Sequence, residues 1–292
     1  MDNSDTQAHA TESIQPQSPA SLPSSSQTIP TKEAPQSESP PSHRPPLERI
    51  AVISDIHGNL TAFEAVLEDI SDRGISRILC LGDLIGKGPQ SSDCVDRAFE
   101  VCDGIVKGNW DHLATAWKDR AFMQWHRRHL GQARIDRLYG LPVYLEFNLS
   151  GRLVRLCHAS PHDLFHRVFL HTDAHERMRL FAPTATLDRT ADVLGYGDIH
   201  GAYTECFTGE YKGKIIFNTG SVGNPLEITQ ASYAILEGAY ESTEPAPFSI
   251  ALVRVPYDIE AAVRIAENST MPLREEYIDE LRPGRYHTLD FR

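Results

Sequence analysis

The chain has 292 residues, a formal net charge of −12 and five cysteines. An acidic chain repels polyanions, which excludes non-specific nucleic-acid binding, though a small phosphate held by bound cations remains compatible with it. No apolar run approaches the roughly 18 residues of a membrane-spanning helix. Cys80, Cys94, Cys102, Cys157 and Cys206 are odd in number and form no CxxC pair. Three of them sit in apolar strand-like runs, so a reducing, cytoplasmic compartment is expected.

The first 46 residues hold nine of the 19 prolines and ten serines, with no Phe, Tyr or Trp. Such a stretch cannot bury enough apolar surface to offset the entropy of ordering it. It is expected to be a disordered tail, followed by a single domain over 47–292. The tail also lacks the charged start and apolar stretch of a secretory signal.

The domain opens with Arg49–Ser54, a short β-branched run predicted to be a strand buried on both faces. A helix over Asn59–Arg73 follows, with Leu60, Phe63, Val66, Leu67 and Ile70 at helical spacing and Gly74 closing it. Strands at Arg77–Leu81 and Gly104–Lys107 flank a helix at Ser91–Val101, a βαβαβ pattern that implies parallel strands. The Trp-, His- and Arg-rich stretch Leu113–Leu138 is expected to be helical. The second half turns mostly to strand. Val143–Leu149 and Arg152–Cys157 read as a hairpin about Gly151. A helix is expected over Phe165–Phe181. Further strands are expected at Val193–Tyr196, Tyr203–Thr208, Lys214–Asn218, Ser232–Glu237 and Ser249–Val255. Ile259–Ala266 reads as helix, followed by a weaker C-terminal segment. The expected architecture is two packed sheets flanked by helices.

Metal-ligating residue types follow these strands at their C-terminal ends: Asp55-Ile-His57, Gly82-Asp83, Gly108-Asn109-Trp110-Asp111, His158 and Gly197-Asp198-Ile-His200. Each alone is commonplace; Gly-Asp is a turn dipeptide and a lone histidine is usually structural. Their joint occurrence, in order and beside glycines that permit close backbone approach, points to one crowded site at the carboxyl edge of a sheet. Seven imidazole, carboxylate and amide groups suit manganese, iron or zinc. Two divalent ions side by side need a bridging carboxylate, and they would make a shared water acidic enough to supply a hydroxide nucleophile.

This ordered set resembles the calcineurin-like metallophosphoesterase superfamily, whose pattern is D-x-H, G-D, G-N-H-[DE], a histidine, then G-H-x-H. The resemblance covers about residues 49–225. It implies an α/β fold, an αββα sandwich of two mixed sheets. It also implies two divalent ions, with Asp55, His57 and His200 on one, Asn109, His158 and Asp198 on the other, and Asp83 on both. Asn218-Thr-Gly-Ser-Val-Gly-Asn-Pro225 resembles the glycine-rich loop of the small bacterial phosphodiesterase branch, where it would shape the site.

Two departures stand out. Trp110 replaces the histidine that supplies a general acid in many members, and Asp198 replaces the first histidine of G-H-x-H. The aspartate adds negative charge and favours a harder ion such as manganese or iron. Asp83, Asn109, Asp111 and His112 are the candidates for catalysis, and Lys87 and Asn109 for substrate contact. Trp110 is expected to pack rather than stack on a base. His162 is placed at the surface, as are His126, His129, His166, His171 and His175. The expected activity is hydrolysis of phosphodiesters with good leaving groups, cyclic nucleotides among them. Its alternatives are a protein or nucleotide phosphomonoesterase and a non-catalytic scaffold on the same fold.

Overall fold

The computed structural model describes residues 46–116, 120–185 and 188–286; the expected tail lies almost wholly outside them. Two five-stranded sheets form the centre. The first has the order β10-β9-β1-β2-β3, with β1 Glu48–Ile53, β2 Arg77–Cys80, β3 Gly104–Ile105, β9 Ala231–Gly238 and β10 Ser249–Val255. The second has the order β4-β5-β6-β8-β7, with β4 Tyr144–Leu149, β5 Arg152–Cys157, β6 Val193–Tyr196, β7 Tyr203–Cys206 and β8 Ile215–Asn218. β1, β2 and β3 are parallel, as are β5, β6 and β8, while β9, β10, β4 and β7 pair antiparallel. Both sheets are therefore mixed.

Alternation along the strands separates the layers. Ile50 and Val52 of β1 join Leu79, Val154, Leu156, Val193, Phe217 and Leu236 in an apolar cluster between the sheets. Ala51 and Ile53 point the other way and pack with Phe63, Val66 and Ile70 of α1 (Leu60–Asp72) and Val95 and Ala98 of α2 (Ser91–Val101). On the far face, Leu194, Tyr196 and Ile216 meet Val168, Leu180 and Phe181. Helices thus cover both outer faces, giving the αββα sandwich. No described helix is long and apolar enough to cross a membrane.

The expected strands and the first two helices lie within a residue or two of the observed ones, because each has a clear apolar period. Two regions differ. The middle stretch is two helices, α3 Asn109–Ala116 and α4 Ala121–Tyr139, the second broken where Gly131 adopts φ 72°. The helix expected over Phe165–Phe181 shrinks to α5, Ala174–Met178, and a 3-10 turn at Arg179–Phe181. Side chains there compete for the backbone: Phe165 N–H donates to Asp163 Oδ1 (2.8 Å) and Phe169 N–H to Thr172 Oγ1 (2.9 Å). Buried Arg155 of β5, held by Glu146 of β4 (2.7 Å), then ties this segment to the second sheet by donating to the Leu180 carbonyl (3.1 Å). The chain ends in α6 Ile259–Glu267 and α7 Arg274–Leu281, which pack around Trp125.

Candidate metal centre

Every expected ligand sits just past a strand end. Asp55 follows β1, Asp83 follows β2, Asn109 follows β3, His158 follows β5 and Asp198 follows β6. The loops after β1 and β2 continue to pair beyond the strands: Asp55 N–H donates to the Gly82 carbonyl (3.0 Å) and His57 N–H to the Asp83 carbonyl (2.8 Å). Asp55, His57, Asp83, Asp198 and His200 all take left-handed backbone conformations, with φ between 49° and 64°. Such conformations are costly for residues other than glycine, and they cluster at sites where strain is retained for function. Glycine is needed where chains nearly touch. A β-carbon on Gly108 would lie 2.0 Å from Asp83 Oδ1, and one on Gly197 would lie 2.5 Å from Asp55 Oδ2.

Three imidazoles turn one nitrogen to a backbone carbonyl and the other toward the carboxylates of Asp55 and Asp83. Nδ1 of His57 meets the Ile85 carbonyl (3.1 Å), Nδ1 of His158 the Leu81 carbonyl (2.8 Å) and Nδ1 of His200 the Asn224 carbonyl (2.6 Å). A carbonyl can only accept, so Nδ1 carries a proton and Nε2 is the atom left to bind an ion once it carries none. His57 Nε2 and His200 Nε2 stand 3.1 Å apart, about the separation of neighbouring ligands on an ion with bonds of roughly 2.1 Å. Asp55 Oδ1 lies 3.3 Å from His200 Nε2 and 3.7 Å from His57 Nε2. Asp83 Oδ2 stands between the two halves, 3.6 Å from His57 Nε2 and 3.4 Å from His158 Nε2. Two ligand-competent groups result, Asp55–His57–His200 and Asp55–Asp83–His158, all buried.

Orphaned atoms test whether a cation fits. Asp55 Oδ1 and His158 Nε2 are fully enclosed and have no hydrogen-bond partner. A buried acceptor without a donor is costly, and a cation between these atoms would satisfy both. The charge balance differs between the two groups. Burial, with the nearby charge of His200, holds His57 well below the ordinary imidazole range, in the form that ligates. Burial opposes a charge on His158, yet the Asp83 carboxylate raises it well above that range. Burial raises the Asp83 carboxyl as well.

Asp198, expected beside Asn109 and His158, has a different environment. Its Oδ1 accepts from Asn109 Nδ2 (2.7 Å) and Arg167 Nη2 (3.0 Å), and its Oδ2 accepts from Arg167 Nε (3.0 Å). Sequence reasoning missed Arg167 because the stretch around it was read as helix. The one available signal was Asp198 itself, a carboxylate in place of a neutral imidazole, which calls for a counter-charge.

The other expected site residues are placed as follows. Asp111 turns from the cleft, and its two oxygens accept backbone N–H groups of Asp83 (2.9 Å), Leu84 (3.0 Å) and Gly108 (2.9 Å). Burial and the charge of Asp83 push its carboxyl up to about 7, against these donors. His112 is half-buried with its ring edge-on to Phe165. Trp110 packs: it meets His57 and Phe122 edge-on, both at 5.9 Å, and lies against Gly86. Lys87 pairs with Glu280 of α7 (2.5 Å), with its ammonium 5.0 Å from the Tyr286 ring centre. In the glycine-rich loop, Ser221 Oγ donates to the Asp55 carbonyl (2.8 Å) and Asn218 Nδ2 to the Gly197 carbonyl (2.6 Å), which holds both D-x-H turns. His162, His129, His171 and His175 are exposed and His166 is half-buried. His126 corrects the expectation, being buried under α4 with Nδ1 3.2 Å from Ser91 Oγ.

Residues 49–240 match the model of the calcineurin-like phosphoesterase superfamily domain. The chain belongs to that superfamily. It is 32% identical over 249 residues to an uncharacterized protein of Methanocaldococcus jannaschii, a match covering 76% of this chain and 93% of that one. Among solved structures it is similar to a metallophosphoesterase from Sphaerobacter thermophilus (TM-score 0.64, 24% identity, 81% of this chain and 99% of that one). It is also similar to a hypothetical protein from Pyrococcus horikoshii (TM-score 0.63, 18% identity, 80% and 97%). Both solved structures share the fold described above. A calcineurin-like phosphoesterase domain with a buried Asp/His cluster able to hold metal is thus established.

Proposed function

We propose that this chain is a two-metal phosphodiesterase acting on small phosphate esters with good leaving groups, nucleotides among them. The observation that carries the proposal is Asp83 Oδ2, set between His57 Nε2 at 3.6 Å and His158 Nε2 at 3.4 Å, as a carboxylate shared by two ions would be. Asp55, His57 and His200 hold one ion, Asn109, His158 and Asp198 the other. Two divalent ions, when bound, supply an activated water near neutral pH and offset the charge of the phosphate oxygens. Manganese or iron fits three carboxylates beside three imidazoles better than a thiolate-preferring ion.

The chain's own residues position this chemistry. The carbonyls of Ile85, Leu81 and Asn224 fix the tautomers of the three imidazoles. Asp111 orients no histidine here; it fixes the Asp83 and Gly108 loops and so the shared carboxylate. With Trp110 in the usual acid's position and packed, the leaving oxygen lacks that proton donor, which favours substrates whose leaving group departs as a stable anion. Asn109 and Lys87 border the site as phosphate contacts, with Lys87 released from Glu280 on binding. Five cysteine thiols, three of them buried, accord with a reducing, cytoplasmic setting.

The test is turnover of an aryl phosphodiester and its monoester by the full chain in manganese, beside Asp83→Asn. Diester turnover that needs the metal and falls by about 10³-fold in the variant supports the reading. Faster hydrolysis of alkyl monoesters would favour a phosphomonoesterase. Metal-free protein without turnover on either ester would point to a scaffold.

A further inference from the structure

The two halves of the centre are built from equal numbers of side chains but differ in how their carboxylates are engaged. Asp55 leaves Oδ1 with no donor, facing the ring nitrogens of His57 and His200. Asp198 has no such atom. Its Oδ1 already accepts two N–H bonds and its Oδ2 a third, two of the three from one guanidinium. A cation at the second half must share Oδ1 with those donors and sit beside a fixed positive charge. His158 Nε2 is also farther from Asp198 Oδ1, at 3.8 Å, than from Asp83 Oδ2, at 3.4 Å.

Arg167 is suited to such a role. Its fork matches the carboxylate plane in the bidentate geometry that a lysine cannot reproduce. Its side chain is 38% exposed while that of Asp198 is 2% exposed, so the guanidinium approaches the buried carboxylate from solvent. It lies on a stretch with no helix or strand, between His158 and α5, anchored by the next residue, Val168, which is buried against the second sheet.

We propose that Arg167 is a positioning residue of the metal centre, which holds Asp198 by both oxygens and keeps the Asn109–His158–Asp198 half a weak, exchangeable ion site beside a tight Asp55–His57–His200 half. The proposal rests on the two-ion reading above. It makes the Asp198 departure workable: the aspartate adds a negative charge, and the arginine offsets it. A purely structural arginine, there only to neutralise a buried acid, would make the opposite prediction, because its loss would disorder Asp198 and weaken the site.

The test is calorimetric titration of the metal-free full chain with manganese, with free ion checked by electron paramagnetic resonance. Wild type is expected to bind two ions in classes roughly tenfold or more apart in Kd. Arg167→Met should tighten the weak class by about tenfold and leave the tight class within about twofold. Arg167→Gln should behave like the methionine variant, so the result does not hang on one substitution. Arg167→Lys keeps the charge but not the two-oxygen grip and should fall between wild type and the methionine variant. Arg97→Met, a change of the same charge on α2 away from the site, should move neither class. If both arginine variants leave the weak class unchanged or weaken it, the proposal falls while the two-ion reading stands. If wild type binds fewer than two ions, the two-ion reading itself is overturned.

Discussion

The two halves of the metal centre show how one fold can present similar ligands in unlike states. In the first half, Asp55 Oδ1 is enclosed and unpartnered beside two ring nitrogens only 3.1 Å apart, an arrangement that only a cation or a proton relieves. In the second, Asp198 is already satisfied by Asn109 and Arg167. The difference predicts that ligand identity will not set ion affinity by itself. What matters is whether each donor atom is left wanting a partner when the ion is absent.

The comparison is broken most directly by neutralising one carboxylate in each half. Asp55→Asn is expected to weaken manganese binding by about a hundredfold, and Asp198→Asn by about tenfold or less, each read by calorimetry. Equal losses would mean the halves are equivalent.

Gly108→Ala probes what the halves share. The added methyl would lie 2.0 Å from Asp83 Oδ1 and 2.2 Å from the Asp83 backbone nitrogen, and backbone cannot step aside. Urea unfolding of the metal-free variant should show a loss of about 2 kcal/mol. Both ion classes should weaken together, since the displaced carboxylate lies between them.

A third measurement supplies a control outside both halves. Burial, with the nearby charge of His129, pulls His126 down to about 4 from the usual 6.5. The folded state therefore prefers neutral imidazole. Its contribution is fully present above pH 6.5 and is lost as pH falls towards 4, because the unfolded chain takes up the proton first. Between pH 7 and pH 5.5 the loss should be about 1 kcal/mol, and it should vanish in His126→Gln. The same slope with and without manganese would keep this effect separate from the centre.

The smallest effect is a proton count. Burial holds His57 well below the ordinary imidazole range, whereas the Asp83 carboxylate holds His158 well above it against burial. Filling the first half near pH 7 should release no proton from His57, while filling the second should release about one from His158. Titrations in buffers of different ionisation enthalpy would show it, and equal release from both classes would contradict the assignment.

Much of this protein was legible in its sequence. The strands were, because each is a short apolar run with turn residues at its ends. The ligands were too, because Asp-x-His and Gly-Asp recur where those runs stop and a backbone leaving a buried strand points its next side chains at the sheet's edge. A shared role for Asp83 is an expectation from its place in the order of motifs, and here it is a proposal.

Tertiary structure decided the rest. His57 and His200 are 143 positions apart, and Lys87 and Glu280 are 193 apart. No local pattern specifies which loop delivers a partner. Arg167 reaches Asp198 only because side-chain bonds from Asp163 and Thr172 replace the helix that composition suggested. His126 is buried because α4 folds over Ser91. The physical reason is common to all four. Hydrophobic period and backbone preference act between near neighbours, whereas charge pairing and enclosure depend on distances that exist only once the layers have packed.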